Sequence, residues 1–183
     1  MSHAATEIKG VLALSSAAFQ DSRGAFSRLF CAKELQEFIG ERTIVQINHS
    51  TTHHVGAVRG MHYQHAPHAE MKIVRCLKGR VFDVAVDLRR GSATFLRWTA
   101  LELTPESGHA LVIPEGCAHG FQVLEADSQL LYLHTAFYTP AAEGGIRFDD
   151  PEIKVKWPLA PTDISARDQS HPYLDKNFKG IAV

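Results

Sequence analysis

The sequence predicts an all-β protein in which short strands form a small jelly-roll barrel with a few short peripheral helices. Turn residues separate runs of strand-forming residues at intervals of roughly 8–12 residues, the spacing of an all-β sandwich or barrel. One run, Val81 to Leu88, places Phe82 and Val84 on one face and Asp83 on the other, with the period of a strand. Two motif-bearing segments flank this run and are interpreted as two halves of one barrel.

The N-terminal part of the chain contains short extended pieces and one helix. Residues 11–14 form a short apolar run, and residues 19–26 are typical of a turn between two extended pieces. A helix is predicted from Cys31 to Gly40, because Leu35, Phe38 and Ile39 fall at i, i+3 and i+4. Gly40 is suited to end this helix.

Strand signals dominate the rest of the chain up to the C-terminal tail. Predicted strands cover residues 44–48, 81–88, 96–103, 110–113, 120–124 and 129–138. The tail from Asp149 to Val183 is rich in Pro, Asp and Lys, and we expect loops and short helices that wrap over the barrel. With 183 residues, we expect a single domain spanning residues 1–183.

Composition narrows the class of protein. Apolar residues make up 45% and charged residues 21%, which is typical of a soluble globular protein. The net charge of -1 gives no bulk field that would recruit nucleic acid or a membrane, and no apolar run has membrane-spanning length. The three cysteines form no CxxC pair and residues 1–10 lack a signal-peptide core, so we expect reduced thiols in the cytoplasm.

The two motif-bearing segments, residues 58–64 and 113–121, predict the site. In Pro114-x-Gly116-x-x-His119, the proline and glycine shape a tight turn that delivers a histidine to the barrel interior, as in a cupin-type jelly roll. His62 in the first segment is expected to face the same cavity, together with a lysine and an arginine. A base, a cation and a guanidinium in one pocket are suited to enolising an anionic substrate.

His62 has two interpretations. An imidazole has an ordinary pKa of about 6.5 and is a plausible base. Alternatively, His62, Glu70 and His119 could bind a metal, as in a metal-dependent cupin isomerase or dioxygenase. Gln64 stands where metal-binding cupins carry the second histidine of an HxH pair, which argues against the metal.

Three cationic residues are candidates for substrate contacts. Lys72, if it lies within the barrel, needs a partner such as an enolate or phosphate oxygen. Arg23 and Arg59 each adjoin a glycine, which lets the backbone approach a ligand closely, and a guanidinium suits a phosphate bidentately. Solvent-exposed positions remain the alternative for all three.

Two tyrosines and one aspartate complete the candidate set. Tyr132 and Tyr138 are six residues apart on one predicted strand and are expected to face the same way, and a phenol can donate a proton to a carbanion. Aromatic core packing is the alternative. Asp168 could fold back onto His62 and fix its tautomer, or lie in a solvated turn.

Many spaced motifs resemble one family, the dTDP-4-dehydrorhamnose 3,5-epimerases. The resemblance covers roughly residues 10 to 175. The motifs, in chain order, are Arg23-Gly24-x-Phe26, Gln46-x-Asn48-x-Ser50, Val58 to His62, Lys72, Asp83 to Arg89, Ile113 to Phe121, Tyr132, Tyr138, Glu143 to Ile146, Asp150-Pro151, Trp157-Pro158 and Ser165-x-x-Asp168.

The resemblance implies a metal-free cupin-type jelly roll without cofactor, usually a homodimer with a strand exchanged or shared between protomers. The substrate of that family is a nucleotide-diphosphate-linked 4-keto-6-deoxy-hexose. By position, the implied catalytic residues are His62 as base, Asp168 as its partner, Tyr132 as acid and Lys72 beside the enolate. The implied substrate contacts are Arg23, Arg59 and His119 for diphosphate and sugar, with Phe26, Gln46, Asn48 and Glu143 near the nucleotide end, and Tyr138 as a contact that could bear on which carbon is inverted.

The nucleotide of the substrate and the carbons that are inverted remain open. The family usually carries a glutamate two residues after the phenylalanine of Arg-Gly-x-Phe, and here that residue is Arg28, so another nucleotide than dTDP is possible. Related enzymes invert C3 or C5 only. A third hypothesis is a non-catalytic sugar-nucleotide sensor, which would retain the arginines and lose the acid–base set that this chain retains.

Overall fold

A computed structural model describes residues 1–183 and consists mainly of β-strands. The first seven strands in chain order are β1 (Ser2–Ala5), β2 (Leu12–Ser15), β3 (Ala18–Asp21), β4 (Gly24–Ser27), β5 (Gln46–Thr52), β6 (Val58–Gln64) and β7 (Lys72–Lys78). The remaining six are β8 (Val81–Asp87), β9 (Trp98–Leu103), β10 (His109–Ile113), β11 (Cys117–Val123), β12 (Ser128–His134) and β13 (Glu143–Gly145).

The strands form two antiparallel sheets and a separate hairpin. The first sheet has six strands in the order β1-β2-β10-β7-β12-β5, and the second has five in the order β13-β6-β11-β8-β9. Strands β3 and β4 pair only with each other. Sequential strands alternate between the two sheets from β5 to β8 and again from β9 to β13, so this is the predicted cupin-type jelly roll, and the predicted all-β fold class is confirmed.

Two short α-helices and one 3-10 turn lie at the periphery. Helix α1 (Ala32–Ile39) is flanked by Cys31 and Gly40, as the sequence predicted, and buries Leu35 and Ile39. Helix α2 (Ala166–Ser170) lies in the tail, and the 3-10 turn covers Pro140–Ala142. No helix in the protein combines the length and apolar character that crossing a bilayer requires.

Both faces of β8 are buried, although its sequence alternates between apolar and acidic residues. Val84 and Val86 point outward into a cluster completed by tail residues such as Ile153. Val81 and Ala85 point into the core between the sheets. Asp83 shares this inner face and is fully buried, so a strand that looks half-polar in sequence is covered on both sides.

The paired strands β6 and β11, which carry His62 and His119, approach each other unusually closely. A Cβ atom on Gly60 would lie 2.6 Å from the Cα of Gly120, and one on Gly120 would lie 2.8 Å from the carbonyl of Arg59. Only glycine fits at both positions. The register places His62 directly opposite His119 and shifts between His119 and Phe121. Two histidines from the two motifs are thereby brought to one place.

Candidate active site

A cavity of about 570 Å³ lies between the inner faces of the two sheets. Side chains from β5, β6, β7, β11 and β12 form its walls, and residues following β12 form its rim. The cavity is lined by Ile47, Asn48, His49, Ser50, Arg59, His62, Tyr63, Gln64, Glu70, Lys72, His119, Phe121, Tyr132, His134, Tyr138, Glu143 and Arg167.

A half-buried histidine and a buried aspartate form a pair at one side of this cavity. His62 Nε2 lies 2.7 Å from Asp168 Oδ1, and the backbone N–H of Gly60 donates to Oδ2 at 3.1 Å. Asp168 is 2% exposed and sits in α2, where its backbone N–H donates to Ser165 Oγ at the helix start. With Nε2–H donating to the carboxylate, Nδ1 is the nitrogen left to accept a proton.

The electrostatics of this pair favour an ionised aspartate. Burial alone would raise the pKa of Asp168, but the hydrogen bond and charge of His62 outweigh burial and lower the pKa to about 2. A fixed negative charge therefore stabilises the imidazolium that forms when His62 takes up a proton.

Tyr132 presents its phenol on another wall of the cavity. It is paired in register with Asn48 on β5, and its hydroxyl lies 3.0 Å from Ser50 Oγ. Burial raises the pKa of Tyr132 well above its ordinary value, although the Ser50 contact acts in the opposite direction. The phenol is therefore protonated at neutral pH and can act as a proton donor.

A second histidine–carboxylate pair lies deeper in the barrel. His119 Nε2 is 2.7 Å from Asp83 Oδ1, and the His119 ring meets the Tyr132 ring edge-on with centroids 6.1 Å apart. Burial raises the pKa of Asp83 despite its hydrogen bond with His119. His119 therefore joins the wall that holds Tyr132.

A lysine, a glutamate and a third histidine form an ion cluster at the base of the cavity. Lys72 Nζ is 3.1 Å from Glu70 Oε1, and His134 Nδ1 is 2.7 Å from Glu70 Oε2. Burial would raise the pKa of Glu70, but His134 and the charge of Lys72 lower it below its ordinary value. The ammonium thus faces the cavity beside an ionised carboxylate.

Guanidinium groups and polar side chains form the rim. Arg167 Nη1 lies 3.1 and 3.2 Å from the two carboxylate oxygens of Glu143, and Tyr138 donates its hydroxyl to the same carboxylate at 3.2 Å. Arg167 Nη2 lies 3.2 Å from His62 Nε2. Arg59 is exposed and donates to the carbonyl of Thr51 at 3.3 Å. The rim is therefore positively charged next to the His62–Asp168 pair.

Most of the predicted site residues meet at this cavity. His62, Tyr132, Lys72, Asn48, Arg59, His119, Tyr138 and Glu143 line it, and Asp168 lies directly behind His62. Gln46 stands one step further out, where its side-chain oxygen accepts from the backbone N–H of Tyr138. Tyr138 reaches the cavity for a different reason than predicted, because β12 ends at His134 and the loop beyond it carries Tyr138.

Arg23 and Phe26 lie outside the cavity of their own chain. Both belong to the β3–β4 hairpin, where Phe26 is 72% exposed and Arg23 pairs with Asp21 at 2.6 Å. The single chain therefore does not bring them to the other candidate residues. Arg28, next to this hairpin, forms an ion pair with Glu34 of α1.

Several cavity residues were not predicted as substrate contacts. Ser50 follows Asn48 by two residues on β5, and His134 follows Tyr132 by two on β12, so strand alternation could have identified both. Arg167 adjoins Asp168 in the tail. His171 does not line the cavity, but its ring meets that of His62 edge-on at 5.7 Å, and it gave no signal in the sequence.

The three residues of the alternative metal site have separate hydrogen-bond partners. His62 binds Asp168, His119 binds Asp83, and Glu70 binds Lys72 and His134. The group whose ligand atoms lie within 4.8 Å of one another is instead His62, Asp168 and His171. The guanidinium of Arg167 beside His62 disfavours a cation there.

Comparisons with known proteins agree with this geometry. The family model described as dTDP-4-dehydrorhamnose 3,5-epimerase matches residues 5–176. The enzyme of that name from Sinorhizobium fredii is 43% identical over 157 residues, covering 85% of this chain and 80% of the relative. That from Salmonella typhimurium is 41% identical over 173 residues, covering 93% of this chain and 94% of the relative.

A solved structure agrees with the fold over the whole chain. The dTDP-6-deoxy-D-glucose-3,5-epimerase of Legionella pneumophila, in complex with dTDP-4-keto-L-rhamnose, superposes with a TM-score of 0.91 and 34% identity, covering 100% of this chain and 98% of that one. Fold and cavity together define a cupin-type acid–base isomerase. The chain belongs to the dTDP-4-dehydrorhamnose 3,5-epimerase family.

Proposed function

We propose that this chain inverts C3 and C5 of dTDP-4-dehydro-6-deoxy-D-glucose, giving dTDP-4-dehydro-L-rhamnose, through an enolate and without a cofactor. The observation that carries the proposal is that an aspartate-backed histidine, a protonated tyrosine and a lysine line one cavity. The dTDP nucleotide is inferred from the family and from the ligand of the Legionella relative.

In the proposed mechanism, His62 is the base and Tyr132 the acid. The C4 ketone acidifies the protons on C3 and C5, and His62 Nδ1 accepts one of them while Asp168 stabilises the imidazolium. The electron pair of the broken C–H bond moves to the C4 oxygen and forms an enolate. Tyr132 then returns a proton to the other face of the planar carbon, which inverts the stereocentre.

Lys72 supports the enolate in this mechanism. Its ammonium lies in the cavity with an 11% exposed side chain, so its charge acts in surroundings with little water. A preorganised donor of this kind contributes about 3–4 kcal/mol to stabilising a transition state. We assign the C4 oxygen of the sugar to the side of the cavity that Lys72 occupies.

The rim is proposed to bind the diphosphate and the nucleotide. Arg59 and Arg167 supply guanidinium groups, which match phosphate oxygens bidentately. His119 lines the sugar end, and Asn48 with Gln46, Tyr138 and Glu143 supplies polar contacts towards the nucleotide. The exposed Arg59 is free to turn towards a ligand.

We further propose that the protein works as a homodimer in the cytoplasm. The hairpin residues Phe19 and Phe26 are 75% and 72% exposed, and Ile47 on the edge strand β5 is 58% exposed. Such an apolar surface on a soluble chain is typical of an interface. Arg23 and Phe26 would then reach the cavity of the partner subunit, which accounts for two motif residues that lie far from their own cavity.

Hydrogen exchange in heavy water tests the reaction. With dTDP-4-dehydro-6-deoxy-D-glucose, the wild-type protein should incorporate deuterium at C3 and C5, as read by NMR. His62→Ala should abolish incorporation and still bind dTDP. The matched control is His53→Ala, which removes an exposed histidine–aspartate pair of the same 2.7 Å length outside the cavity. An inert substrate with folded wild-type protein would reject the proposal, and deuterium at one carbon alone would restrict the reaction to that carbon.

The role of Tyr132 is tested with the same substrate. Tyr132→Phe should still allow exchange on the abstraction face but slow net inversion by about 10²–10⁴-fold, the usual contribution of a positioned acid. Tyr173→Phe is the control, because this exposed hydroxyl contacts Asp149 outside the cavity. Equal inversion rates for the two variants would contradict the assignment of Tyr132.

Subunit complementation tests the dimer. Arg23→Ala and His62→Ala chains should each be inactive as homodimers. Their mixture should regain activity, because about one site in four of a randomly mixed two-fold dimer combines intact residues from both chains. Light scattering gives the oligomeric state independently, and a monomer or a mixture without regained activity would refute a shared site.

A further inference from the structure

We infer that a directional hydrogen-bond chain through Gln46, Asn48, His134 and Glu70 positions Lys72, which makes Glu70 and His134 positioning residues. The inference rests on the proposed function, in which Lys72 stabilises the enolate. This hydrogen-bond chain links the nucleotide end of the cavity to the reacting end. No motif in the sequence indicated that its side chains position Lys72.

Strand register brings the members of this chain into line. His134 on β12 is paired with Gln46 on β5 and, on its other side, with Lys72 on β7. Side chains at paired positions of neighbouring strands project from the same face of the sheet. His134, Gln46 and Lys72 therefore lie side by side across three strands. Asn48 contacts both Gln46 and His134, and Glu70 contacts both His134 and Lys72.

The direction of the chain is set at its outer end by a backbone amide. The N–H of Tyr138 can only donate, and it donates to Gln46 Oε1 at 3.1 Å. The amide of Gln46 must then present Nε2 to Asn48 Oδ1, at 3.2 Å. Asn48 in turn presents Nδ2 to His134 Nε2, at 3.3 Å. Each amide orientation follows from the one before it.

This direction fixes the tautomer of His134. Because Asn48 donates to Nε2, that nitrogen carries no proton, and the proton of the neutral ring is on Nδ1. Nδ1–H faces Glu70 Oε2 at 2.7 Å, and Glu70 Oε1 accepts from Lys72 Nζ at 3.1 Å. Each donor group in the hydrogen-bond chain has an acceptor, and each carboxylate oxygen of Glu70 accepts one hydrogen bond.

Burial makes the chain energetically important. The side chains of Glu70, Lys72 and His134 are 7%, 11% and 11% exposed. Water has little access to replace a lost partner, and removing one member of a buried ion pair leaves the other charge uncompensated. The position and charge of Lys72 therefore depend on Glu70, and the position of Glu70 depends on His134.

The first test measures the tautomer, which does not depend on catalysis. In ¹⁵N-labelled wild-type protein, long-range ¹⁵N–¹H correlation should find His134 protonated at Nδ1 and bare at Nε2. Asn48→Ala leaves Glu70 as the acceptor, so Nδ1 should stay protonated while the Nε2 resonance shifts on losing its donor. A wild-type His134 protonated at Nε2, or at both nitrogens, would overturn the inference without any variant being made.

The second test measures the effect on Lys72 through catalysis. Glu70→Gln should lower kcat about 10–100-fold, the usual effect of losing a group that orients an active residue, with little change in dTDP affinity. His134→Asn retains a donor towards Glu70 and should lose less activity than His134→Leu, which retains none. The control is Glu102→Gln, which removes an exposed partner of Arg80 outside the cavity.

The outcomes separate this inference from the proposed function. A folded Glu70→Gln protein with wild-type kcat, or equal loss in His134→Asn and His134→Leu, would overturn the positioning role. A wild-type protein that shows the Nδ1–H tautomer but leaves the 4-keto sugar unchanged would reject the proposed function and leave the hydrogen-bond chain in place.

Discussion

Replacing Asp168 by asparagine tests the electrostatic basis of the proposed mechanism. Asp168 is 2% exposed, and its two oxygens accept from His62 Nε2 at 2.7 Å and from the Gly60 N–H at 3.1 Å. The asparagine has nearly the same shape and lacks the charge. The variant therefore separates the charge of this side chain from its packing.

The expected loss can be worked out from the pKa of the carboxyl group. It lies at about 2 instead of the ordinary 3.8. At about 1.36 kcal/mol per pKa unit, the partners of the carboxylate outweigh the cost of its burial by roughly 2 kcal/mol. His62 makes the largest of the favourable contributions, ahead of Gly60 and Arg167, so loss of the charge should weaken the base by about one pKa unit, or tenfold, at least.

Loss of the correct tautomer adds to the electrostatic loss. An amide in place of the carboxylate can turn its NH₂ group towards His62, and the ring then places its proton on Nδ1, the nitrogen proposed as base. In serine proteases the same kind of change lowers kcat about 10⁴-fold. We therefore expect the turnover of Asp168→Asn to fall at least tenfold and at most about 10⁴-fold.

The assay is the rate of deuterium incorporation at C3 and C5 under saturating substrate, with thermal unfolding as the check on folding. Asp127→Asn is the matched control, because Asp127 pairs with His53 at the same 2.7 Å on the exposed surface. Control activity should equal that of the wild type. A folded Asp168→Asn protein that loses less than about tenfold would refute the reasoning.

Three further predictions concern stability and reactivity. Gly120→Ala should lower the free energy of unfolding by about 1–3 kcal/mol in chemical denaturation, because its Cβ would lie 2.8 Å from a carbonyl of the neighbouring strand. The folded pKa of Asp168 is below its unfolded value, so its contribution to stability is present above about pH 4 and should be lost as the pH falls towards 2, a loss absent from Asp168→Asn in acid titrations. Burial raises the pKa of Cys76 to about 11 and of Cys117 to about 12, so iodoacetamide at pH 8 should modify Cys31 first, as peptide mass spectrometry can verify.

The elements that the sequence predicted correctly depend on patterns among residues that are close together in the sequence. The helix at residues 31–40 was set by apolar spacing and a terminal glycine, and it forms at Ala32–Ile39. The alternation in Val81–Leu88 likewise predicted a strand, observed at Val81–Asp87. The tail, which is distant in sequence, buries the face that carries Val84, and the polar face with Asp83 turns inward to His119, so Asp83 could not be predicted to lie fully inside.

The same distinction between local patterns and contacts distant in sequence applies to the candidate site. Residues on strands with recognisable motifs, such as His62 and His119, were predicted to share a cavity because alternation and turns determine where a strand side chain points. Tyr138 was assigned to a strand that ends four residues earlier, so the reason for its orientation was wrong. The pairing of Asp168 with His62 spans 106 residues, so the residues alone left a solvated turn open as the alternative, and the family resemblance favoured the pairing.

The arrangement of charge explains why this cavity suits an anionic, enolisable substrate. Three carboxylates lie behind the groups that face the cavity: Asp168 behind His62, Asp83 behind His119, and Glu70 behind both His134 and Lys72. Each carboxylate accepts from a nitrogen that would otherwise be desolvated without a partner, and the cavity itself therefore presents nitrogen groups to the ligand. Two carboxylates also line the cavity itself, and each has a cation beside it: Glu143 on the rim pairs with Arg167, and Glu70 at the base pairs with Lys72. The chemistry proposed here depends on these pairings more than on any single side chain.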